Sequence, residues 1–188
     1  PKILLRWLLL ACALLLVACL TAVPAFAATC ESMVQLALPD AKITMAQVVA
    51  AGTFKQPGNP PIGADPYKNL PAFCRVAATL TPSGDSDIKV EIWLPVSNWN
   101  GKLQAVGNGG WAGVISYSAL AEAVQGGYAS ASTDTGHVGG RGIFAMDHPE
   151  KLIDFSYRSE HEMTVKAKDV ILAFYGNAPR LSYWKERA

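Results

Sequence analysis

The chain has 188 residues, and its 16 lysine and arginine residues nearly balance its 15 aspartate and glutamate residues, giving a formal net charge of +1. This balance excludes the concentrated basic patch that a nucleic-acid-binding domain presents. Apolar residues make up 51% of the chain, which is enough for a packed core, and no repeat follows the N-terminal segment.

The first 27 residues have the pattern of an export signal. Lys2 and Arg6 precede an apolar run over residues 7–20, and the small-residue triplet A-F-A occupies residues 25–27. These are the three parts of a signal peptide, which we expect to be cleaved after residue 27. The run is shorter than the ~20 apolar residues of a transmembrane helix, so a membrane anchor is the weaker interpretation.

Cleavage would leave a domain of residues 28–188, with fourteen basic and fifteen acidic residues and a net charge near −1. We expect this domain to be secreted or periplasmic and not to bind a membrane. The one exception comes from the tetrapeptide L-V-A-C that ends at Cys19, which also resembles a lipoprotein signal. Lipidation of Cys19 is therefore an alternative route of processing.

Two cysteines remain after cleavage, Cys30 and Cys74. An even number of cysteines in an oxidising compartment favours one disulfide, and two buried thiols are the alternative. Neither cysteine belongs to a C-x-x-C pair, so we expect no metal site.

The first predicted elements are two alternating strands, residues 73–80 and 88–94, joined by a turn-forming segment into a β-hairpin. Gly84-Asp85-Ser86 lies in that turn, so turn formation is preferred over a nucleophilic serine of the GDSL type. A short strand over residues 103–106, a helix over residues 118–125 and a strand over residues 128–133 follow.

Residues 134–158 show no periodicity, which is typical of a functional loop or lid. Ser159 and Glu162 are spaced as a capping box, so we expect a helix to begin there and to end before Gly176. Its apolar face consists of Met163, Ala167, Val170, Ile171 and Phe174. A last strand begins at residue 181. The order of elements predicts an α/β fold, an N-terminal hairpin followed by parallel βαβ units.

The segment V-G-N-G-G-W-A-G, residues 106–113, brings four glycines together directly after a predicted strand. Gly107 to Ala112 match the dinucleotide fingerprint G-x-G-x-x-A, but Asp134 lies about 27 residues on rather than the expected ~20, and export removes the protein from the NAD pool. The preferred hypothesis is an oxyanion hole formed by the peptide N–H groups of Gly109 and Gly110, with Trp111 at the pocket mouth. A tight turn without a ligand is the remaining alternative.

Four segments together resemble the tannase and feruloyl esterase family: FCRVAATLTPSGDSDIKVEIWLP, NWNGKLQAVGNGGWAG, ASTDTGH and HPEKLIDFSYRSEHEMTVKAKDVI. The resemblance implies a secreted serine esterase with an α/β-hydrolase core, of which this chain supplies an incomplete, N-terminal part. In the family a Gly-Cys-Ser-x-Gly-Gly nucleophile elbow follows the segment that resembles YGNAPRLSYW, and a calcium-binding lid lies further on. Neither is in this sequence, and no G-x-S-x-G occurs in it.

The three histidines precede the expected elbow, and the hydrolase triad runs in the order Ser, acid, His. None of them is therefore expected to be the catalytic base. We expect Asp134 and His137 to organise the loop near the oxyanion site, and His148 and His161 to be structural. His161 lacks the second histidine of a zinc motif, because Val165 stands in that position.

The sequence thus predicts part of a carboxylic ester hydrolase that acts on esters of hydroxylated aromatic acids, of gallate or feruloyl type, through an acyl-enzyme. The chain by itself is expected to be inactive, and within it we expect no cofactor. A non-catalytic binding module is the alternative of a different class, favoured by the missing elbow.

Overall fold

The computed structural model describes residues 28–58, 63 and 65–186. The predicted signal peptide, with its cleavage site and Cys19, lies outside the described residues. In the part of the chain that is described, no helix combines the length and the apolar character needed to cross a membrane.

Six strands form one mixed sheet in the spatial order β1-β2-β3-β5-β4-β6. The first three pair antiparallel, β3 pairs antiparallel with β5, and β4 pairs parallel with both β5 and β6. The strands are β1 (Ala41–Val49), β2 (Phe73–Leu80), β3 (Ile88–Pro95), β4 (Lys102–Val106), β5 (Ala129–Thr133) and β6 (Leu181–Lys185). The predicted α/β class and the β2–β3 hairpin are confirmed, whereas β1 is an addition to the prediction.

The described α-helices are α1 (Tyr117–Gln125), α2 (Pro149–Ile153) and α3 (Ser159–Tyr175), of which α1 and α3 pack on the sheet. Two 3₁₀ turns, Glu31–Gln35 and Gly142–Ala145, and one π-helical turn, Asp154–Arg158, complete the described elements. Gly176 ends α3 in the left-handed conformation, with φ of 71°, as the sequence predicts.

The predicted α-helix from Ser159 is confirmed as α3, but the capping box predicted at its start is wrong, because Ser159 continues a longer helical segment. The helical segment begins at Pro149, passes through the π turn and continues into α3. His148 is its N-cap residue and Pro149 follows at the first helical positions, where its missing N–H costs nothing. Ser159 is fully buried and its Oγ makes no hydrogen bond in the described structure, so the predicted capping box does not form. The extra residue of the π turn interrupts the 3.6-residue period, so the sequence pattern did not predict the helical residues before Ser159.

The two faces of the sheet carry separate apolar clusters. Helix α3 covers one face with Met163, Ala167, Val170 and Ile171, all fully buried, while Phe174 is half-buried at the margin. Helix α1 covers the other face, where Phe73 and Trp93 stack with ring centroids 4.2 Å apart. The predicted disulfide is present: Cys30 and Cys74 are bonded, which joins the N-terminal 3₁₀ turn to β2.

Strand β6 is the edge of the sheet next to β4. Its apolar side chains Leu181, Tyr183 and Trp184 are about half exposed, at 52%, 45% and 44%. An edge strand of this kind leaves backbone groups and apolar surface without a protein partner among the described residues.

Candidate active site

The glycine loop, residues 107–113, leaves the carboxyl end of β4 and leads into α1. Its first peptide is fixed to the edge strand, because the N–H of Gly107 donates to the carbonyl oxygen of Lys185 over 3.0 Å. Helix α1 begins only at Tyr117, ten residues after Gly107. In a dinucleotide site the helix starts within the glycine motif and points its N-terminus at the phosphates, so this geometry does not favour that alternative.

Two of the four glycines are required by close packing inside the protein. A Cβ atom at Gly107 would lie 2.4 Å from Cζ2 of Trp184, and one at Gly113 would lie 2.3 Å from the carbonyl oxygen of His137. The N–H of Gly113 also donates to the carbonyl oxygen of Gly139 over 2.7 Å. These glycines therefore bring the loop against β6 and against the segment after β5.

Gly110 is required by backbone conformation instead. Its φ is +53°, in the left-handed region that L side chains avoid, and a Cβ atom there would meet nothing within 4 Å. The N–H of Ala112 donates to the carbonyl oxygen of Gly109 over 3.1 Å, which closes a turn around Gly110 and Trp111. The turn is tight, and its outer side is open.

Gly109 and Gly110 are the predicted oxyanion-hole residues. Within the described residues, neither of their peptide N–H groups donates a hydrogen bond, although the loop is held on both sides. Gly109 is half-buried and Gly110 is exposed. Chemically, two adjacent unpaired N–H groups on a fixed turn can stabilise a negatively charged oxygen.

Trp111 lies beside these groups, and its side chain is 46% exposed. One face of its ring stacks on Phe155, with centroids 4.6 Å apart and planes 11° apart, and Phe144 contacts it edge-on at 6.1 Å. Gly142 lies against its edge, because a Cβ there would be 3.4 Å from the indole. The ring is therefore held in place while part of it remains open to a ligand.

His137 connects the segment after β5 to the glycine loop. Its Nε2 lies 2.9 Å from the carbonyl oxygen of Trp111, and its Nδ1 lies 3.2 Å from Oγ1 of Thr135. Because a carbonyl oxygen only accepts, Nε2 carries the proton and donates it. The imidazole also stacks on Phe144 with centroids 3.7 Å apart.

Asp134 holds the start of the same segment. Its Oδ1 accepts hydrogen bonds from the N–H groups of Lys89 and Gly136, each over 2.9 Å. Burial of the carboxyl raises the pKa of Asp134 to about 6, although both N–H bonds act in the opposite direction.

The other two histidines have their contacts elsewhere. Nδ1 of His148 lies 2.9 Å from Oδ2 of Asp85, which links the N-cap of α2 to the hairpin turn. His161 is exposed on α3 and lies 4.0 Å from Glu162.

No metal centre is found in the part of the chain that the structure describes, since nowhere there do three His, Cys, Asp or Glu side chains come together as ligands.

Several residues around the glycine loop escaped sequence reasoning. Phe144 and Phe155 come from a segment without periodicity and gave no signal. Asn108 stands inside the glycine motif, where a side chain capable of several hydrogen bonds was a usable but neglected signal. A partly buried ion pair between Arg75 and Glu91, next to Trp93 on the α1 face, was also not predicted.

These features define an α/β protein with a pair of open peptide donors and an aromatic side chain at the carboxyl end of a parallel strand. A model of the family described as tannase and feruloyl esterase matches residues 74–186, more than half of the chain. The chain belongs to the tannase and feruloyl esterase family.

The relatives agree with this placement. An uncharacterized esterase of Xanthomonas campestris pv. campestris is 37% identical over 159 residues, 84% of this chain and 27% of the relative. A probable feruloyl esterase B-1 of Aspergillus oryzae is 35% identical over 85% of this chain and 30% of its own length. The crystal structure of feruloyl esterase B from the same fungus superimposes with a TM-score of 0.75 at 33% identity, covering 86% of this chain and 32% of that one. The chain thus spans about a third or less of each relative.

Proposed function

We propose that this chain forms the N-terminal part of a secreted or periplasmic serine esterase that cleaves esters of hydroxylated aromatic acids, of feruloyl or gallate type. Membership of the tannase and feruloyl esterase family supports an ester hydrolase, and relatives named feruloyl esterase support the substrate class. The disulfide between Cys30 and Cys74 supports an oxidising compartment, in agreement with the export pattern of residues 1–27.

The observation that carries the proposal is the pair of open peptide donors at Gly109 and Gly110. In ester hydrolysis a serine oxygen attacks the carbonyl carbon, and the carbonyl oxygen takes the negative charge of the tetrahedral intermediate. Collapse of this intermediate expels the alcohol and leaves an acyl-enzyme, which water then hydrolyses to the acid. Donors aimed at the oxyanion are worth about 3–4 kcal/mol each, because the charge is absent from the ground state.

Trp111 is proposed to bind the aromatic acyl group. Its ring is locked by Phe155 and Phe144 and remains half exposed beside the two donors. An aromatic acid that stacks or packs against this ring would place its ester carbonyl next to the glycine loop.

His137 and Asp134 are proposed to organise the loop without taking part in the chemistry. The nucleophile, the triad acid and the triad base are proposed to come from polypeptide that follows these residues, since the sequence has no G-x-S-x-G and the relatives are about three times longer.

The test compares this 188-residue chain with the complete product of the gene that encodes it, here called the full-length protein. Both are assayed against methyl ferulate, methyl gallate and p-nitrophenyl acetate, with and without a serine-directed inhibitor. We expect inhibitor-sensitive hydrolysis by the full-length protein and none by the chain alone. A full-length protein without esterase activity would contradict the proposed function. Activity in the isolated chain would contradict the proposal that the catalytic triad lies outside it.

A further inference from the structure

We infer that Asn108, Ser116 and Ser132 form a positioning unit that sets the direction of the Gly109 and Gly110 N–H groups. The inference rests on the proposed function, because it assigns a role in the same reaction. It concerns residues that touch neither the substrate nor the reacting atoms and that act through the backbone of the glycine loop.

Asn108 is anchored at both ends of its side-chain amide. Its Nδ2 donates to the carbonyl oxygen of Thr133 over 2.9 Å, and its Oδ1 accepts from Oγ of Ser116 over 3.3 Å. The carbonyl oxygen of Thr133 only accepts, so it requires the NH₂ end of the amide, and the amide has one orientation only. Thr133 is the last residue of β5 and is buried, so the anchor point belongs to the rigid sheet.

Ser116 is the N-cap residue of α1, but its hydroxyl does not cap the helix. A serine at this position ordinarily accepts a hydrogen bond from the first helical turn. Here Oγ turns back and reaches Oδ1 of Asn108 and, over 3.4 Å, the carbonyl oxygen of Gly107. The side chain is 2% exposed, so its direction is set by these protein contacts and not by solvent.

Ser132 holds Ser116 in this arrangement. Its Oγ accepts the backbone N–H of Ser116 over 2.9 Å, and the residue is fully buried in β5. The polar contacts therefore run from β5 to the start of α1 and on to Asn108.

The unit acts on the donors because Asn108 and Gly109 share a peptide plane. The N–H of Gly109 can reorient only by rotation about the bonds that flank this plane. Fixing Asn108 through its side chain restrains this plane. The next plane carries the carbonyl oxygen of Gly109 and the N–H of Gly110, and it is held by the hydrogen bond from the N–H of Ala112. Catalytic donors need such support, since errors of about 1 Å cost large factors in rate.

The experiment uses two buried serines of β5 as a matched pair in the full-length protein. Ser132→Ala removes the contact to Ser116. Ser130→Ala removes a hydrogen bond of similar length, 2.8 Å, from an equally buried residue whose hydroxyl donates to the carbonyl oxygen of Gln104 in β4 and not to the glycine loop. Asn108→Ala tests the other end of the unit. For each variant we measure the melting temperature, kcat, KM and the affinity for an aryl boronic acid, whose tetrahedral adduct carries an oxygen at the oxyanion position.

We expect Ser132→Ala and Asn108→Ala to lower kcat and the boronic acid affinity by roughly 10- to 100-fold, with KM within about twofold. Ser130→Ala should lower the melting temperature by about as much as Ser132→Ala does, and it should leave kcat unchanged. Equal kcat for the Ser130 and Ser132 variants would overturn the inference if Gly110→Val still lowers kcat. If the Gly110 variant also retains full kcat, the oxyanion proposal itself fails.

Discussion

Nε2 of His137 donates to the carbonyl oxygen of Trp111 over 2.9 Å, which joins two segments that are 26 positions apart in the chain. The same histidine has its backbone against Gly113 and its ring on Phe144. The contact therefore fixes the far side of the glycine loop, opposite the side that Asn108 anchors.

Replacement of His137 by alanine is expected to lower kcat in the full-length protein by about 10-fold or more, because the Trp111 peptide loses its anchor. His148→Ala is the matched control, since His148 also contacts a distant residue, Asp85, but not the loop. Steady-state kinetics of both variants measure this difference in kcat. Similar small effects for the two would mean that His137 is structural only.

Replacement of Trp111 by alanine is expected to act mainly on KM, raising it about 10-fold for an aromatic acid ester, because the acyl ring loses its packing surface. Trp111→Phe should retain part of this binding. Trp99→Ala removes another stacked tryptophan, whose partner is Tyr175, and should leave KM unchanged. A fall in kcat at constant KM for Trp111→Ala would show that this side chain supports the loop and does not bind substrate.

The carboxyl of Asp134 is expected to make stability depend on pH. Because burial raises its folded-state pKa to about 6, above the ~3.9 of an unfolded chain, the folded state holds this proton more tightly. The contribution is fully present below about pH 4 and is lost as the pH rises through 6. Two pKa units correspond to about 3 kcal/mol in the free energy of unfolding.

Asp134→Asn cannot titrate, so its stability relative to the natural sequence should increase between pH 4 and pH 7. Melting temperatures of the two full-length proteins across this range measure the difference. Asp169→Asn, an exposed change on α3, is the comparison variant that removes one carboxyl without altering the buried site. A pH-independent difference for Asp134→Asn would exclude a raised pKa.

The disulfide closes a loop between residues 44 positions apart, which corresponds to about 4 kcal/mol in the chain-entropy account. Replacing both Cys30 and Cys74 by alanine should lower the free energy of unfolding by about this amount. Non-reducing peptide mapping of exported protein should recover the two cysteines in one linked peptide. Recovery of both as free thiols would remove the disulfide and its support for export.

The sequence predicted those elements whose residues follow a simple period. Alternation identified β2 and β3, and Gly126 and Gly127 marked the end of α1. Strand β1 was missed because a bulge between Ile43 and Met45 breaks its alternation. The π turn before α3 had the same effect on the helical period.

The candidate site could be proposed from the sequence where one local motif carries it, and not where distant residues complete it. Gly109, Gly110 and Trp111 belong to one short segment. Phe144 and Phe155 reach Trp111 from a segment more than 30 positions away, and Asn108 depends on Thr133, 25 positions on. Such contacts follow from the order of strands in the sheet, which local patterns do not encode.

The central claim, that the glycine loop is an oxyanion hole, is tested most directly by Gly110→Val in the full-length protein. Gly110 and Gly176 both have positive φ, 53° and 71°, and both have open space where a Cβ would lie, so Gly176→Val is a matched control for backbone strain. We predict that Gly110→Val lowers kcat by roughly 10²–10³ with a much smaller change in KM, because the strained turn misdirects a donor. Gly176→Val should affect stability alone. A kcat within twofold for Gly110→Val in an active esterase would show that the loop is only a turn.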